Sequence, residues 1–329
     1  MIVGFTRDKN IKQKMWNYPS VKGSPEPMEL SVGINAYLLD GPRVLVRDVR
    51  SGPLTPVLPE VHYGSKPVDG GNLVFSAKEG TLGLDQDPVA GKYLRRFVGA
   101  KEMLYNIERW CLWLTDLDPA DIGKSSGLKA QIEGVRKMRS ESKKVPTQEA
   151  ASTPALFAEI RQPDVPYLCI PIHVGETRRY WTAARYEPEV ICGNANFLAP
   201  DEDGLLFSLI SSAMYITWQR AVGGRLESRL RFSNTLTWNT FPVPDLDDKT
   251  RAAVIKAGQS VIDARALHPE RSLADSYNPL AMDPALVKAH DKLDREVDKA
   301  FGADRKLTTE RQRLEILFAR YAEMTAEKA

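Results

Sequence analysis

The chain has 329 residues and a mass of 36.8 kDa, a length that suits two domains. With 43% hydrophobic and 27% charged residues its composition is that of a globular protein, which excludes a disordered tail, a collagen-like rod and a disulfide scaffold. Lys and Arg number 45 against 43 acidic residues, a net charge of +2, so a polybasic protein is excluded and any nucleic-acid surface must arise from local clustering.

The N-terminus opens on an apolar β-like run, Ile2-Val3-Gly4-Phe5, without the basic flank, apolar core and cleavage site of a signal peptide. A lone edge strand cannot pair its own backbone groups, so this run reads as the last strand of a sheet whose other strands lie outside the chain. Residues 6–92 are rich in Pro and Gly, and their β-type runs predict short strands at Tyr37–Leu39, Val44–Val49, Val57–Val61 and Asn72–Ser76. Turn signals separate these runs: Asp40-Gly41-Pro42, Ser51-Gly52-Pro53 and Asp69-Gly70-Gly71. RWCLWL (109–114) reads as a buried strand. Asp118-Pro119 then supplies an N-cap followed by proline at the first helical position.

The spacing of Leu128, Ile132, Val135 and Met138 predicts a helix over about 127–143. Its other face is basic: seven cations (Lys124, Lys129, Arg136, Lys137, Arg139, Lys143 and Lys144) stand against Glu133 and Glu141. Lys129, Arg136, Ser140 and Lys143 fall near one stripe, which reads equally as a solvated helix face or as a charged surface for a partner. Strands are expected over 167–174 and 190–192, and an apolar core helix over 204–222 that stops at Gly223-Gly224. That helix is interrupted by Ser208, Ser211, Ser212, Thr217, Gln219 and Arg220, and nothing in the chain has the length and apolarity of a membrane span. In GGRLESRLRFSN (223–234), an extended backbone would put Arg225, Arg229 and Arg231 on one face.

From FPVP (241–244) onward the pattern turns helical. Asp247 or Asp248 caps a helix with Val254, Ile255, Gly258, Val261 and Ile262 inward. A second helix buries Leu286, His290, Leu293 and Val297. A third starts at Thr309, with Gln312 completing a capping box, and buries Leu314, Leu317, Phe318, Tyr321 and Met324.

No catalytic constellation emerges: G-x-S-x-G, a P-loop and a G-x-G-x-x-G after a strand are all missing. Cys111, Cys169 and Cys192 stand too far apart for a zinc site, and a sparse, odd cysteine set fits a reducing cytoplasm. His62, His173, His268 and His290 have no carboxylate or cysteine at ligand spacing and read as packing or surface residues. What remains are two arginine clusters, GETRRYW (175–181) and RLRFSN (229–234). The planar fork of arginine matches guanine O6 and N7 or a phosphate. Composition alone leaves open a lattice in which these arginines bind glutamates and hold the β-rich part to the helices.

The strings INAYLLD (34–40), GSKPVDGGNLVF (64–75), RRFVGAKEMLYNIERWCLWL (95–114), TRRYW (177–181), LISSAMYITWQRAVGGRLESRLRFSNTLTWNTFPVP (209–244) and SLADSYNPLAMDPALVKAHDKLDREVDKAFG (272–302) occur in that order. Together they resemble the downstream part of the MmeI-like DNA methyltransferases of type IIG-type restriction–modification and phage-defence systems. The resemblance implies an α+β fold: a mixed, β-rich target-recognition domain at about 30–244, a helical C-terminal domain at 245–329, and in 1–29 a linker and one orphan N-terminal strand of a Rossmann-like methyltransferase sheet. It implies double-stranded DNA as partner, and a methyltransferase domain or subunit docking at that strand, where S-adenosylmethionine would bind and adenine N6 would be methylated. It also places the base-reading side chains near Glu176, Thr177, Arg178 and Arg179, with Arg178 or Arg179 as guanine reader. Phosphate candidates are Arg225, Arg229, Arg231 and Ser233, then Lys66 in its glycine-flanked turn, then Lys129, Arg136 and Lys143 on the basic helix.

One departure from the family pattern is large. The Asn-Pro-Pro-aromatic motif that holds a flipped adenine is missing from these residues, its nearest strings being Asn278-Pro279-Leu280 and Asp283-Pro284-Ala285 in the helical region. The glycine-rich cofactor loop is missing too. The chain by itself is therefore expected neither to bind the cofactor nor to transfer a methyl group, its catalytic half lying elsewhere. A docking subunit that completes a partner methyltransferase, with structural arginines, is the alternative.

Overall fold

The most apolar stretch of the chain is its structural axis. In the computed structural model, which describes residues 4, 6–8, 10–18 and 23–326, this stretch forms two helices, Leu205–Ile210 and Ala213–Val222, where the periodicity predicts one. The break has a local cause. The Ser212 hydroxyl donates to the Leu209 carbonyl at 2.6 Å and accepts the Tyr215 N–H at 3.3 Å, replacing helical bonds with side-chain bonds. Trp218 and Tyr215 are fully buried here, Trp218 against Phe318 and Tyr321 of the last helix and Tyr215 against Trp238 and Phe241.

Around this axis lie small sheets. Tyr167–Pro171 and Asn196–Pro200 pair antiparallel at the centre of a four-stranded sheet, edged by His62–Tyr63 and Ala184–Tyr186. The predicted buried strand is found at Trp110–Leu112. It pairs antiparallel with Leu94–Val98, which runs parallel to Ile191–Cys192. A third sheet joins His173–Val174 to the hairpin Arg225–Leu226 and Arg229–Arg231. A two-stranded ribbon, Met15–Asn17 with Glu26–Met28, lies near the N-terminus. Of the expected strand at Ile2–Phe5 all but Gly4 falls outside the described residues, and with it the expected site for a docking methyltransferase.

The helical region follows its sequence signals closely. Asp247 caps Asp248–Ala266, and Asp283 with Pro284 starts Pro284–Ala300. At the third helix, Glu310–Ala326, the Thr309 hydroxyl accepts the Gln312 N–H while the Gln312 carbonyl oxygen accepts the Thr309 N–H. Gly258 lets the first of these helices lie directly on Leu205–Ile210, since a Cβ there would collide with Ser208. A bidentate Arg313–Asp298 pair, at 2.9 and 2.8 Å, is buried between the last two helices. The helices therefore share one continuous core with the β-rich part.

The four short strands expected within residues 37–76 do not form. Tyr37–Leu39 is a tight loop in which the Asn35 carboxamide accepts the Tyr37 and Leu39 N–H groups, with Leu38 at φ +57°. Val44–Val49 has no partner strand. The Tyr37 hydroxyl accepts the Val46 N–H, the Thr235 carbonyl accepts the Val49 N–H, and the Asn239 amide donates to the Val49 carbonyl. Val57–Val61 is likewise irregular, with the Trp238 indole N–H donating to the Pro59 carbonyl. Asn72–Ser76 contributes a single bridge, Val74 to Cys111. Pro59 removes a donor from the third run, and across the four runs side chains and single backbone bonds, such as that from the Phe75 N–H to the Trp110 carbonyl, take the place of a ladder.

The basic helix spans Ser126–Ser140, so Lys143 lies beyond its end. Arg139, counted from the sequence among its surface cations, is instead fully buried. Its guanidinium donates to the carbonyls of Pro67, Val68, Ala150, Thr153 and Leu156 at 2.7–3.0 Å. One side chain thus stitches the 64–75 turn to the segment after the helix. Replacing Arg139 with Leu would strand five carbonyls, and a loss of about 3–5 kcal/mol in unfolding free energy is expected. Arg139→Lys should recover only part of it, because three donors replace five. A denaturation midpoint of Arg139→Leu indistinguishable from the unaltered chain would show that the stitch carries no weight.

Candidate nucleic-acid interface

The strand that leads into the first arginine cluster, His173–Val174, and the strand that opens the second, Arg229–Arg231, are neighbours in the third sheet. His173–Val174 pairs with Arg229–Arg231 in the register Arg231 opposite His173 and Leu230 opposite Val174. Directly opposed residues share a face, so Arg231 stands beside His173, and Arg229, two residues away on the same strand, joins them. Leu230 and Val174 are buried on the other face. The expectation that Arg225 shares the face of Arg229 and Arg231 fails. The Glu227-Ser228 turn, with Glu227 at φ +55°, pairs Arg225 with Leu230, which turns it to the opposite side. Arg225 donates to the Ser228 carbonyl at 3.2 Å.

The electrostatics agree with the register. The His173 ring is held below its ordinary range by burial first, then by the charges of Arg229 and Arg231. Its Nε2 is buried without a hydrogen-bond partner. Arg229 pairs with Glu227 at 3.0 Å, but both side chains are well exposed, and such a pair contributes little and exchanges readily for another anion.

From Val174 the chain enters the turn of Glu176, Thr177, Arg178 and Arg179. Glu176, Thr177 and Arg179 are exposed. Arg178 is half-buried, and its Nη1 donates to the Ala274 carbonyl at 2.8 Å, tying the turn to the short helix Leu273–Ser276. Arg179 lies over the Tyr180 ring, 5.6 Å from its centroid. Tyr180 is itself buried, stacked 3.7 Å from His290, and donates its hydroxyl to Asp294. Burial pushes the Asp294 carboxyl up to about 6, against the opposing effect of the Ala213 N–H that it accepts.

Two side chains that the sequence did not single out as site residues hold this arrangement from beneath. Buried Gln219 donates to the Arg231 carbonyl at 2.9 Å, and Gly223 leaves room for it, since a Cβ there would collide with the amide. Arg220 donates to the carbonyls of Arg178 at 2.7 Å and Glu176 at 3.4 Å and pairs with Glu310. The sequence pattern marked both only as polar interruptions of an apolar helix.

The remaining candidates lie elsewhere. Ser233 uses its hydroxyl to accept the Leu236 N–H, capping the helical turn Asn234–Trp238. Lys66 exchanges backbone bonds with Glu159 and lies 3.6 Å from its carboxylate. Lys66, Lys129, Arg136 and Lys143 belong to the part of the molecule stitched by Arg139, with Lys129 and Lys143 exposed and Arg136 paired to Glu133 at 3.2 Å. No hydrogen bond or ion pair among the described residues joins this second group to the hairpin.

A cleft of about 280 Å³ between Ser31–Pro42 and the last helix has two acids in its lining, the exposed Glu315 and the buried Asp40. Its two oxygens accept the N–H groups of Ser31, Val32 and Gly33 and the Ser31 hydroxyl, which holds the carboxyl well below its ordinary range and leaves little capacity for a ligand hydroxyl.

The model of the MmeI target recognition domain matches residues 40–245, and that of the MmeI C-terminal domain matches residues 246–328. DNA methyltransferase A of Bacillus subtilis (strain 168) is 31% identical over 300 residues, covering 91% of this chain and 34% of the relative. A solved structure of the Type IIL restriction–modification enzyme MmeI in complex with DNA superposes with a TM-score of 0.81 at 38% identity, over 95% of this chain and 41% of that one. The mixed α+β architecture is that of the MmeI structure, and the chain spans about a third of the length of the curated relative.

The shared face of His173, Arg229 and Arg231 has a measurable signature. In an NMR titration His173 should protonate below the ordinary value of about 6.5, and the double variant Arg229→Gln, Arg231→Gln should move it upward. The folded value lies below the unfolded one, so the associated stability is present above about pH 6.5 and is lost as pH falls beneath it. An unmoved His173 resonance in the double variant would separate the two strands' charges and contradict the register.

Proposed function

Because the chain belongs to the MmeI family, through the target recognition and C-terminal domains that together match residues 40–328, we propose that it chooses the site on double-stranded DNA for an adenine-N6 methyltransferase of a restriction–modification or phage-defence system. One observation carries the reading: a single sheet sets Arg229 and Arg231 on an exposed face and leads directly into the exposed turn bearing Arg179. Chemistry on a duplex base requires that base to be flipped out, at a cost of a few kcal/mol. A recognition part must grip the duplex and offset that cost at the correct sequence only. Phosphate contacts set the register and base contacts select.

In this reading Arg229 and Arg231 clamp phosphates, with Arg225 at the hairpin edge, and Arg179, beside Glu176 and Thr177, reads the base edges. Arg178 supports the turn through Ala274 rather than facing a base. Lys66, Lys129 and Lys143 extend the phosphate-binding surface on the second part of the molecule. Methyl transfer belongs to a partner catalytic domain or subunit carrying the Asn-Pro-Pro-aromatic motif and S-adenosylmethionine. Three free, buried thiols suit a cytoplasmic protein, and no helix among the described residues is long and apolar enough to cross a membrane.

Duplex binding should weaken steeply with salt. About five phosphate contacts predict a log–log slope near −4 to −5. Arg229→Gln should weaken all sequences alike and reduce that slope by about one, whereas Arg179→Ala should relax a single base-pair position by about 1–3 kcal/mol. Fluorescence anisotropy across a salt series with a panel of duplexes measures both. A flat salt dependence rules out the DNA reading, and the same uniform loss from both variants rules out the division of labour.

A further inference from the structure

The turn of Glu176–Arg179 is too short to define its own shape. It contains one internal backbone bond, from the Arg178 N–H to the Gly175 carbonyl at 3.1 Å, and its tip is exposed. What fixes it comes from outside. Arg220, in the last turn of the buried helix Ala213–Val222, inserts its Nη2 between two carbonyls of the turn, those of Glu176 and Arg178. Its other terminal nitrogen pairs with Glu310, the first residue of the last helix. The guanidinium therefore has its fork divided between an anion on one side and two carbonyls on the other, a use of its planar geometry that a lysine ammonium cannot reproduce. The neighbouring Gln219 makes the equivalent contact to the hairpin through the Arg231 carbonyl. One helix end thus carries the supports of both arginine-bearing elements.

We propose that Arg220, oriented by Glu310, is a positioning residue for base selection: it touches no DNA and sets the backbone of the turn whose side chains read bases. The inference rests on the DNA-recognition reading of that turn. It makes the C-terminal helical region a participant in specificity, because the partner of Arg220 lies there. A side chain that merely stabilised the fold would weaken specific and non-specific binding together. A positioning residue lowers discrimination between sequences and leaves the phosphate-driven component in place.

The experiment compares the full chain with Arg220→Gln, Arg220→Lys and Glu310→Gln. Each is incubated with a randomised duplex pool, the selected motif is read, and affinities for that motif and for single-base-pair variants are measured over a salt series. Arg220 is partly exposed and Glu310 lies at the surface, so the Glu310 variant disturbs the clamp without touching the core. Arg220→Gln should reduce discrimination roughly tenfold at the positions read by the turn, with the salt slope and the affinity for unrelated duplex unchanged. Arg220→Lys and Glu310→Gln should give intermediate losses. Amide exchange of residues 175–179, measured without DNA, should accelerate in the same rank order. An unaltered chain that selects no motif removes the DNA reading and this inference with it. A motif selected as sharply by Arg220→Gln as by the unaltered chain, or unchanged exchange in the turn, overturns this inference alone.

Discussion

Everything exposed on the candidate interface hangs from a helix that cannot move. Ala213–Val222 carries Met214, Tyr215, Ile216 and Trp218 into the interior, and Trp218 packs on Phe318 and Tyr321 from the last helix. Removing a buried tryptophan from such packing costs about 3–5 kcal/mol, a large part of the stability of any domain. Shifting the helix would disturb many such contacts together. Gln219 and Arg220 leave this helix in its last turn and hold the hairpin and the turn by their backbones. Rigidity established in the core is thereby passed to loops that have few contacts of their own.

This explains why the helical part and the β-rich part share a core instead of meeting at a linker. The FPVP segment at the change of composition is itself buried, with Phe241 against Tyr215 and Phe301 and the Arg320 guanidinium on the Pro242 carbonyl. Contacts of the C-terminal helices with the turn are equally direct: Ala274 accepts from Arg178, His290 stacks on Tyr180, and Asp294 bonds both Tyr180 and Ala213. The helices form one wall behind the turn.

How much of this could be read from the residues depended on whether the stabilising interaction is local. Helices of the C-terminal region declare themselves through a regular apolar period and caps three or four residues away, and Asp118, Asp247 and Gln312 all behave as their positions predict. The buried strand at Trp110–Leu112 is equally legible from an apolar run. The segment from Tyr37 to Ser76 is not, because its backbone is satisfied by side chains far away in sequence, such as Trp238 on Pro59 and Asn239 on Val49. Apolar residues such as Val46, Leu58 and Val61 face the core there without pairing as strands, and a period-two reading mistakes burial for a ladder. The hairpin shows a subtler loss: counting alternate residues through a turn assumes a continuous strand, and two turn residues were enough to move Arg225 to the other face.

The arginines carry the same lesson into the site. Arg139, Arg178, Arg220, Arg229 and Arg231 are one residue type in clusters of similar composition, and nothing local in the chain separates their roles. The structure separates them by what their donors meet. Arg139, Arg178 and Arg220 meet backbone carbonyls, which are fixed, neutral and always present, so these three are committed to the fold. Arg229 meets only an exposed glutamate, and among the described residues Arg179 and Arg231 form no ion pair, which leaves their charge for an external anion. Arg220 couples the two sets, because it holds the turn that carries Arg179, and ordering a loop before a ligand arrives lowers the conformational entropy lost on binding. In the proposed reading, Arg178 and Arg220 fix the turn from which Arg179 reads bases, so that a cluster legible as either a lattice or a reading head serves as both.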